Sequence, residues 1–223
     1  KDPTRTAQLG ILTPKEKDEP QFNGADIWGV RPGHPVLFRV PVSGVRPMKF
    51  SAKGLPAGVT LDPAKGRLEN LRGPKGLNII IDYAHTPDAL ENVLKTLRDV
   101  APEKELICLF GCGGDRDRSK RPEMGVIATK YADRVIVTSD NPRREDPQEI
   151  INEIRSGMDA RARAKSLFIT DRKEAIRSAV MTAPEGAIIL VAGKGHEDYQ
   201  IIGTTKYHFD DKEVIAEAMN ELN

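Results

Sequence analysis

Cysteine is scarce in this sequence. Among 223 residues only Cys108 and Cys112 occur, and three residues separate them. That spacing fits neither a CxxC redox motif nor the paired CxxC motifs of a zinc site. We therefore expect two buried free thiols, as in a reducing cytoplasm, and no metal site.

Long hydrophobic runs and an excess of charge are also missing. The longest apolar run, 187–192, is too short to span a membrane, and the N-terminus Lys1-Asp2-Pro3 lacks the apolar core of a signal peptide. A formal net charge of +1 offers no broad surface for nucleic acid or an anionic membrane. We therefore expect a cytoplasmic chain that binds small molecules and has no nucleic-acid or membrane partner. A targeting segment removed ahead of Lys1 is an open alternative.

The first 65 residues read as a linker followed by short β-strands. Residues 1–20 contain a stretch rich in charge and proline, and residues 21–65 alternate apolar and polar positions between glycines and prolines. The clearest strands are 36–40, 48–51 and 59–61. The motifs at 22–24 (FNG), 29–33 (GVRPG), 46–48 (RPM) and 50–56 (FSAKGLP) resemble a small Ig-like module of secreted bacterial α-galactosidase-type glycoside hydrolases. The resemblance implies a partial Ig-like β segment over 21–65 and brings no catalytic residue.

From Gly66 the pattern changes to alternating strands and helices. Ile79 to Ile81 reads as a buried strand, and Thr86 and Pro87 supply the N-cap and the first-turn proline of a helix through Val100. The remaining predicted elements are strands at 106–110, 134–138, 167–170 and 187–191, helices at about 124–131, 147–158 and 172–181, a hairpin at 200–209 and a closing helix at about 211–222. Such alternation predicts an α/β fold with a Rossmann-like, mostly parallel sheet and helices on both faces over residues 66–223.

Four polar loops follow four of the predicted strands, at 82–88, 111–122, 140–147 and 193–199. Ligands of open parallel sheets bind beyond the carboxyl ends of the strands, so these loops are expected to form one binding site. Each loop alone also fits a simpler explanation, in which glycines serve tight turns and charges face solvent. Four such loops at one edge favour a site for a charged ligand.

The loop sequences DYAHTPDAL, GCGGDRDRSKRPEMG, DNPRREDP and GKGHEDYQ resemble, in this order, signatures of the Mur ligase family. The resemblance is to the C-terminal, amino-acid-binding domain of the type (MurE) that adds diaminopimelate during peptidoglycan synthesis, and it runs from Gly66 to Asn223. It implies a set of substrate-binding residues: Arg116, Asp140, Asn141, Arg143, Gly193 and Glu197. It also implies that His85 and Asp115 lie near the nucleotide, although His85 fits a structural hydrogen-bonding role equally well.

The chemistry of these residue types suits meso-diaminopimelate, which carries two ammonium and two carboxylate groups. Arg143 and Arg116 can bind carboxylates, whereas Glu197 and Asp140 can accept from an ammonium. Lysine has no distal carboxylate and would leave Arg143 without its partner. The sequence Asn141-Pro142-Arg143 therefore favours diaminopimelate over lysine.

A complete Mur ligase uses ATP and Mg²⁺ to activate the carboxylate of a UDP-muramoyl peptide, yet no GxxxxGK[ST] phosphate-binding motif occurs in this sequence. We therefore expect no catalytic residue here and an inactive chain when it is alone. It would be a monomer that joins one ligase domain to an unrelated Ig-like segment, as in a recombined sequence. Two alternatives stay open: a non-enzymatic carbohydrate-associated module, and the corresponding domain of a folylpolyglutamate-type ligase.

Overall fold

The computed structural model describes residues 21–22, 42–43 and 69–222. The chain divides into two compact units, Lys1–Pro63 and Ala64–Asn223. In the first unit, strand β1 (Gln21–Phe22) pairs antiparallel with β2 (Val42–Ser43), with Phe22 opposite Val42. The strands predicted at 36–40, 48–51 and 59–61 lie outside the described residues. The Ig-like segment and the boundary at residue 66 stay predictions.

The second unit contains a six-stranded sheet. Its strands are β3 (Glu69–Arg72), β4 (Asn78–Asp82), β5 (Leu106–Phe110), β6 (Arg134–Val137), β7 (Ser166–Phe168) and β8 (Ile188–Ala192), in the spatial order β3-β4-β8-β5-β6-β7. Edge strand β3 is antiparallel to β4, and the other neighbours are parallel. A hairpin of β9 (Tyr199–Ile202) and β10 (Thr205–His208) lies outside this sheet. The predicted α/β class and the mostly parallel sheet are confirmed.

Six α-helices complete the described part of the second unit. They are α1 (Pro87–Val100), α2 (Lys120–Tyr131), α3 (Pro147–Ser156), α4 (Ala160–Ala164), α5 (Arg172–Thr182) and α6 (Asp211–Glu221), and a 3₁₀ turn spans Pro74–Gly76. Helix α1 begins as predicted, with the Thr86 side chain accepting from the amide of Ala89. Helix α2 begins four residues before the predicted Met124. Pro122 is compatible with this start because the first-turn amides of a helix have no intrahelical acceptor. None of these helices is long and apolar enough to cross a membrane.

Helices cover the sheet on both faces, and its two central strands, β8 and β5, are apolar and buried at every position. Successive side chains point to opposite faces, so Ile80 packs toward α1, α2 and α3 whereas Ile79 and Ile81 pack toward α5 and α6. Strands β4, β8, β5 and β6 lie side by side and run parallel. Their carboxyl ends therefore meet at one edge, where the four polar loops emerge.

Candidate functional site

Backbone and side-chain hydrogen bonds tie the four loops together at this edge. The amide of Gly114, after β5, donates to the carbonyl of Asn141, after β6, at 2.9 Å. The amide of Gly193, after β8, donates to the carbonyl of Asp82, at the end of β4, at 3.0 Å. Glu197 accepts at 2.9 Å from Asn141 Nδ2. The structure therefore brings together loops that are far apart in the sequence.

Asn141 is buried at the centre of these contacts. Its Oδ1 accepts from Lys194 Nζ at 3.1 Å and from the amide of Ile201 at 2.9 Å, which occupies both lone pairs. Its Nδ2 donates one hydrogen to Glu197, and its second hydrogen has no acceptor within residues 69–222. Any hydrogen bond from the Asn141 side chain to a ligand would therefore run through that second N–H.

Asp140 and Glu197 form an acidic pair on adjoining loops. Their side chains are 11% and 16% exposed, and both approach the fully buried ammonium of Lys194, at 3.3 Å for Asp140 Oδ1 and 3.8 Å for Glu197 Oε2. Asp140 Oδ1 lies outside hydrogen-bond geometry and is unsatisfied within the described part of the chain. The Lys194 ammonium compensates the charge of this carboxylate, while its buried Oδ1 keeps unused hydrogen-bonding capacity.

Tyr83 adds a phenol to the acidic pair. Its hydroxyl donates to Glu197 Oε1 at 3.4 Å, and burial together with the charge of Glu197 raises the pKa of Tyr83. Its ring lies 4.6 Å from that of His85 and 5.5 Å from that of His196. The phenol therefore stays protonated and fixes one oxygen of Glu197.

Arg143 lies half-buried on the same loop as Asp140, in the left-handed backbone region with φ 52°. Two backbone hydrogen bonds to the hairpin hold it there, from its amide to Ile201 O at 3.0 Å and from Gly203 N to its carbonyl at 2.7 Å. Its Nη1 donates to Gly114 O at 2.9 Å. Its Nε and Nη2 make no hydrogen bond to any residue that the structure describes, so an edge of the guanidinium is available for a carboxylate.

Arg116 is exposed, and its Nη1 donates to the carbonyl of Asp115 at 3.0 Å. Gly113 lies between it and Arg143, because a Cβ at Gly113 would meet Arg143 Nη1 at 2.9 Å and Arg116 Cγ at 3.7 Å. The absence of a side chain at Gly113 allows the two arginines to share one side of the site. Gly193 also belongs to the predicted substrate-binding set. It has φ +114°, and a Cβ at this position would lie 4.0 Å from the Asp140 carboxylate.

The two residues predicted near the nucleotide are both exposed. His85 Nδ1 is 2.8 Å from the carbonyl of Tyr83, and the backbone carbonyl of His85 accepts from Lys120 Nζ at 2.8 Å. Asp115 has φ 51° and accepts from Arg144 Nε at 3.1 Å. Both lie on loops at the site edge, but each is tied to different neighbours. Their proximity to a nucleotide stays a prediction.

ATP and Mg²⁺, which the resemblance implies for a complete ligase, do not fit the described residues as their primary holders. Lys194 follows Gly193 in a glycine-rich turn, but its ammonium is fully buried and donates to Asn141 and to the carbonyl of Tyr199 at 2.6 Å. It is therefore unable to act as a phosphate-binding lysine. Within 69–222, no group of three His, Cys, Asp or Glu side chains is arranged to hold a metal ion.

Two buried arginines that support the site, Arg121 and Arg172, were not predicted from the sequence. Arg121 is fully buried, and it donates to Glu145, to Glu153 at 2.8 Å and to the carbonyl of Gly113 at 3.1 Å. Hydrogen bonding to Arg121 lowers the pKa of Glu145 to about 2. Hydrophobic periodicity gives no signal for such residues, because charged side chains are expected to face solvent.

The arginine at the start of α5 is a second missed cation. Arg172 forms a bidentate salt bridge with Asp211, with hydrogen bonds of 2.7 and 2.8 Å. Its Nη2 also donates to the carbonyl of Ala192 at 3.2 Å. This contact fixes the carboxyl end of β8, from which the loop with Gly193 emerges.

A separate concavity lies at the opposite edge of the sheet. It has a volume of about 340 Å³ and is lined mainly by apolar atoms, with Arg134, Leu167 and Thr182 among its residues. It contains none of the predicted site residues. We therefore place the candidate site at the carboxyl edge, where the charged groups converge.

Comparisons with known proteins agree on one family. The family described as "Mur ligase, glutamate ligase domain" matches residues 66–195. A UDP-N-acetylmuramoyl-L-alanyl-D-glutamate–2,6-diaminopimelate ligase of Bacteroides thetaiotaomicron is 57% identical over 162 residues, covering 72% of this chain and 34% of that protein. A ligase of the same name from Clostridioides difficile is 51% identical over 157 residues, covering 70% of this chain and 32% of that protein.

A solved structure of a ligase with this name shares the fold. It superposes with a TM-score of 0.66 at 44% sequence identity, and the match covers 73% of this chain and 33% of that one. The chain thus spans about a third of the length of the curated relatives it matches.

Proposed function

The chain belongs to the Mur ligase family, and on this premise we propose that residues 66–223 form the meso-diaminopimelate-binding domain of an ATP-dependent amide ligase. The complete enzyme would add diaminopimelate to UDP-N-acetylmuramoyl-L-alanyl-D-glutamate in peptidoglycan synthesis, in the cytoplasm. One observation carries the proposal: two arginines and an acidic pair share one edge of the sheet, within a domain whose relatives carry this ligase name.

The ligand has a charge pattern that complements this arrangement. Meso-diaminopimelate has an ammonium and a carboxylate at each end. Asp140 and Glu197 supply acceptors for an ammonium, and the open edge of the Arg143 guanidinium supplies paired donors for a carboxylate. Arg116, exposed on the neighbouring loop, would add a second cationic contact.

Selectivity against lysine would arise from the carboxylate that lysine lacks. A half-buried guanidinium that loses its partner costs free energy, so a site built for that contact rejects the shorter ligand. Gly193 and Asn141 would complete the site, Gly193 by leaving space beside Asp140 and Asn141 through its remaining N–H. None of these residues is proposed to be catalytic.

The chain alone would bind the amino acid without forming the amide bond. ATP and Mg²⁺ would supply activation of the acceptor carboxylate in the complete ligase, and residues 69–222 do not fit a phosphate-binding loop. We propose that His85 and Asp115 face the nucleotide from this domain. The alternatives, a carbohydrate-associated module and a folylpolyglutamate-type domain, are less well supported, because the relatives described above carry the diaminopimelate ligase name.

Calorimetric titration of the 223-residue chain separates these functions. The ligands are meso-diaminopimelate, L-lysine, L-glutamate and a soluble cell-wall glycan, each titrated under the same conditions. We expect saturable binding of diaminopimelate, weaker binding of lysine, and no binding of the glycan. Tighter binding of glutamate would favour the folylpolyglutamate type, and tighter binding of the glycan would favour the carbohydrate module.

A further inference from the structure

Lys194 is fully buried at the centre of the site, although neither its sequence context nor the family resemblance gives it a role. Its ammonium donates to Asn141 Oδ1 at 3.1 Å and to the carbonyl of Tyr199 at 2.6 Å. The same nitrogen is 3.3 Å from Asp140 Oδ1 and 3.8 Å from Glu197 Oε2. These five residues are called the Lys194 cluster below.

The Lys194 cluster connects the loop after β6 to the β9–β10 hairpin. Lys194 binds the first residue of β9 through the Tyr199 carbonyl, and Asn141 Oδ1 accepts from both Lys194 and the amide of Ile201. The hairpin in turn holds Arg143 by its two backbone hydrogen bonds, one with Ile201 and one with Gly203. A continuous set of hydrogen bonds therefore runs from the Lys194 ammonium to the backbone of Arg143.

The backbone of Arg143 needs this support. Its φ of 52° is a left-handed conformation that is strained for a non-glycine residue, so it persists only when neighbouring contacts fix it. The hairpin supplies those contacts, and the Lys194 cluster fixes the hairpin. Release of the hairpin would let Arg143 relax and turn its guanidinium away from the site.

The charge of Lys194 also reduces the repulsion between the two carboxylates of the acidic pair. Asp140 and Glu197 are mostly buried carboxylates on adjoining loops, and like charges in such a setting repel one another. Burial lowers the pKa of Lys194, and attraction to Asp140 and Glu197 opposes that lowering. The same attraction offsets the repulsion between the two carboxylates. The acidic pair can then hold its position while still attracting a ligand ammonium.

We propose that Lys194 is a positioning residue for substrate selectivity, which sets Arg143 through the β9–β10 hairpin and holds Asp140 and Glu197 in place without touching the substrate. The proposal rests on the proposed function for the identity of the substrate. Its structural part, the coupling of Lys194 to the hairpin and to Arg143, is independent of that identity.

The test compares the unsubstituted 223-residue chain with four variants, each carrying one substitution. Lys194→Met removes the ammonium, Lys194→Gln keeps a neutral donor in case the Met variant fails to fold, and Lys194→Arg restores the charge. Lys165→Met is the matched control, because Lys165 Nζ also donates to a backbone carbonyl, that of Ala132 at 2.7 Å, but outside the site. Thermal melting of each variant reports the general loss of stability.

The first readout is amide hydrogen exchange without ligand. In Lys194→Met, or in Lys194→Gln if Met does not fold, the amides of Ile201 and Gly203 should exchange about tenfold faster or more, as expected when a local contact opens. The amides of the core strands β5 and β8 should change only as much as they do in Lys165→Met. Lys194→Arg should recover part of the protection.

The second readout is the ratio of the dissociation constants for lysine and meso-diaminopimelate. In Lys194→Met this ratio should fall about tenfold, because a misplaced Arg143 no longer holds the distal carboxylate. If Lys194 had only a structural role, its substitution would lower the melting temperature and leave the ratio of dissociation constants unchanged. Unchanged protection of Ile201 and Gly203, or a ratio equal to that of Lys165→Met, overturns the proposal. If the unsubstituted chain binds no diaminopimelate, the proposed function fails, and hydrogen exchange alone decides the role of Lys194.

Discussion

Arg143 should set the preference for diaminopimelate over lysine, and two substitutions separate this role from its structural one. Arg143→Ala and Arg143→Gly both remove the guanidinium, together with its hydrogen bond to Gly114 O. They differ at the backbone, because glycine adopts the left-handed conformation of residue 143 freely and alanine does not. Arg144→Ala is the matched control, since the neighbouring arginine is 75% exposed and its ion pair within residues 69–222 is with Asp115, outside the acidic pair.

The expected loss of affinity follows from the contact removed. A bidentate, charge-assisted contact between an arginine and a carboxylate contributes about 1.5–3 kcal/mol, which corresponds to roughly ten- to a hundredfold in affinity. Both Arg143 variants should lose this factor for meso-diaminopimelate and change little for lysine. Arg144→Ala should stay within about 0.5 kcal/mol of the unsubstituted chain, as is usual for surface positions.

Stability should distinguish the two variants from each other. Both lose the hydrogen bond to Gly114, but Arg143→Gly also removes the left-handed strain, worth about 1 kcal/mol. The glycine variant should therefore unfold at a higher denaturant concentration than the alanine variant while sharing its loss of selectivity. Titrations with both ligands and urea unfolding provide the two measurements. If both variants keep the original ratio of dissociation constants, Arg143 is a structural loop residue and the reasoning is refuted.

Three further predictions concern the chain outside Arg143. Purified chain given ATP, Mg²⁺, UDP-muramoyl dipeptide and diaminopimelate should show no ATP hydrolysis or ligation above background, and measured ligation would contradict the assignment of nucleotide binding to another domain. The pKa of Glu145, lowered from 4.5 to about 2 by Arg121, implies stability that is present above the usual carboxyl range and lost as pH falls through the lowered value. Glu145→Gln should therefore reduce the free energy of unfolding at neutral pH and flatten its decline in acid, and parallel pH profiles would contradict this. Gly114→Ala would place a Cβ 1.9 Å from the carbonyl oxygen of Pro142, so the free energy of unfolding should fall by about 1–3 kcal/mol or more. Gly186→Ala is the control: its Cβ would meet no atom of the described residues within 4 Å, so it should show only the cost of its positive φ.

Helix and strand bounds could be predicted from the sequence where the local pattern of residues matched their burial in the folded domain. Strand β5 has the predicted bounds because all five residues are apolar and buried, and α1 has them because Thr86 and Pro87 mark its start. Helix α4 and strand β3 were missed. The first is the short ARARA segment with no apolar face, and the second is a four-residue edge strand. Such elements depend on the neighbours they pack against rather than on their own pattern.

The candidate site was only partly accessible from the sequence. Resemblance of the loops pointed to Arg143 and Glu197, and the structure brings both to one edge. The buried roles of Lys194 and Arg121 could not be anticipated, because a buried cation is stable only through partners that are distant in the sequence. The left-handed backbone of Arg143 is likewise imposed by the hairpin more than fifty residues away.

Backbone amide chemical shifts, recorded by NMR while meso-diaminopimelate is added to the 223-residue chain, test the central claim most directly. Saturable shifts should appear at Gly114, Asn141, Arg143 and Glu197, the residues whose contacts join the loops at the carboxyl edge. Lysine at the same concentration should shift Glu197 but leave Arg143 nearly unchanged. An absence of saturable shifts, or shifts confined to the opposite edge around Arg134 and Leu167, would contradict the assignment of this site.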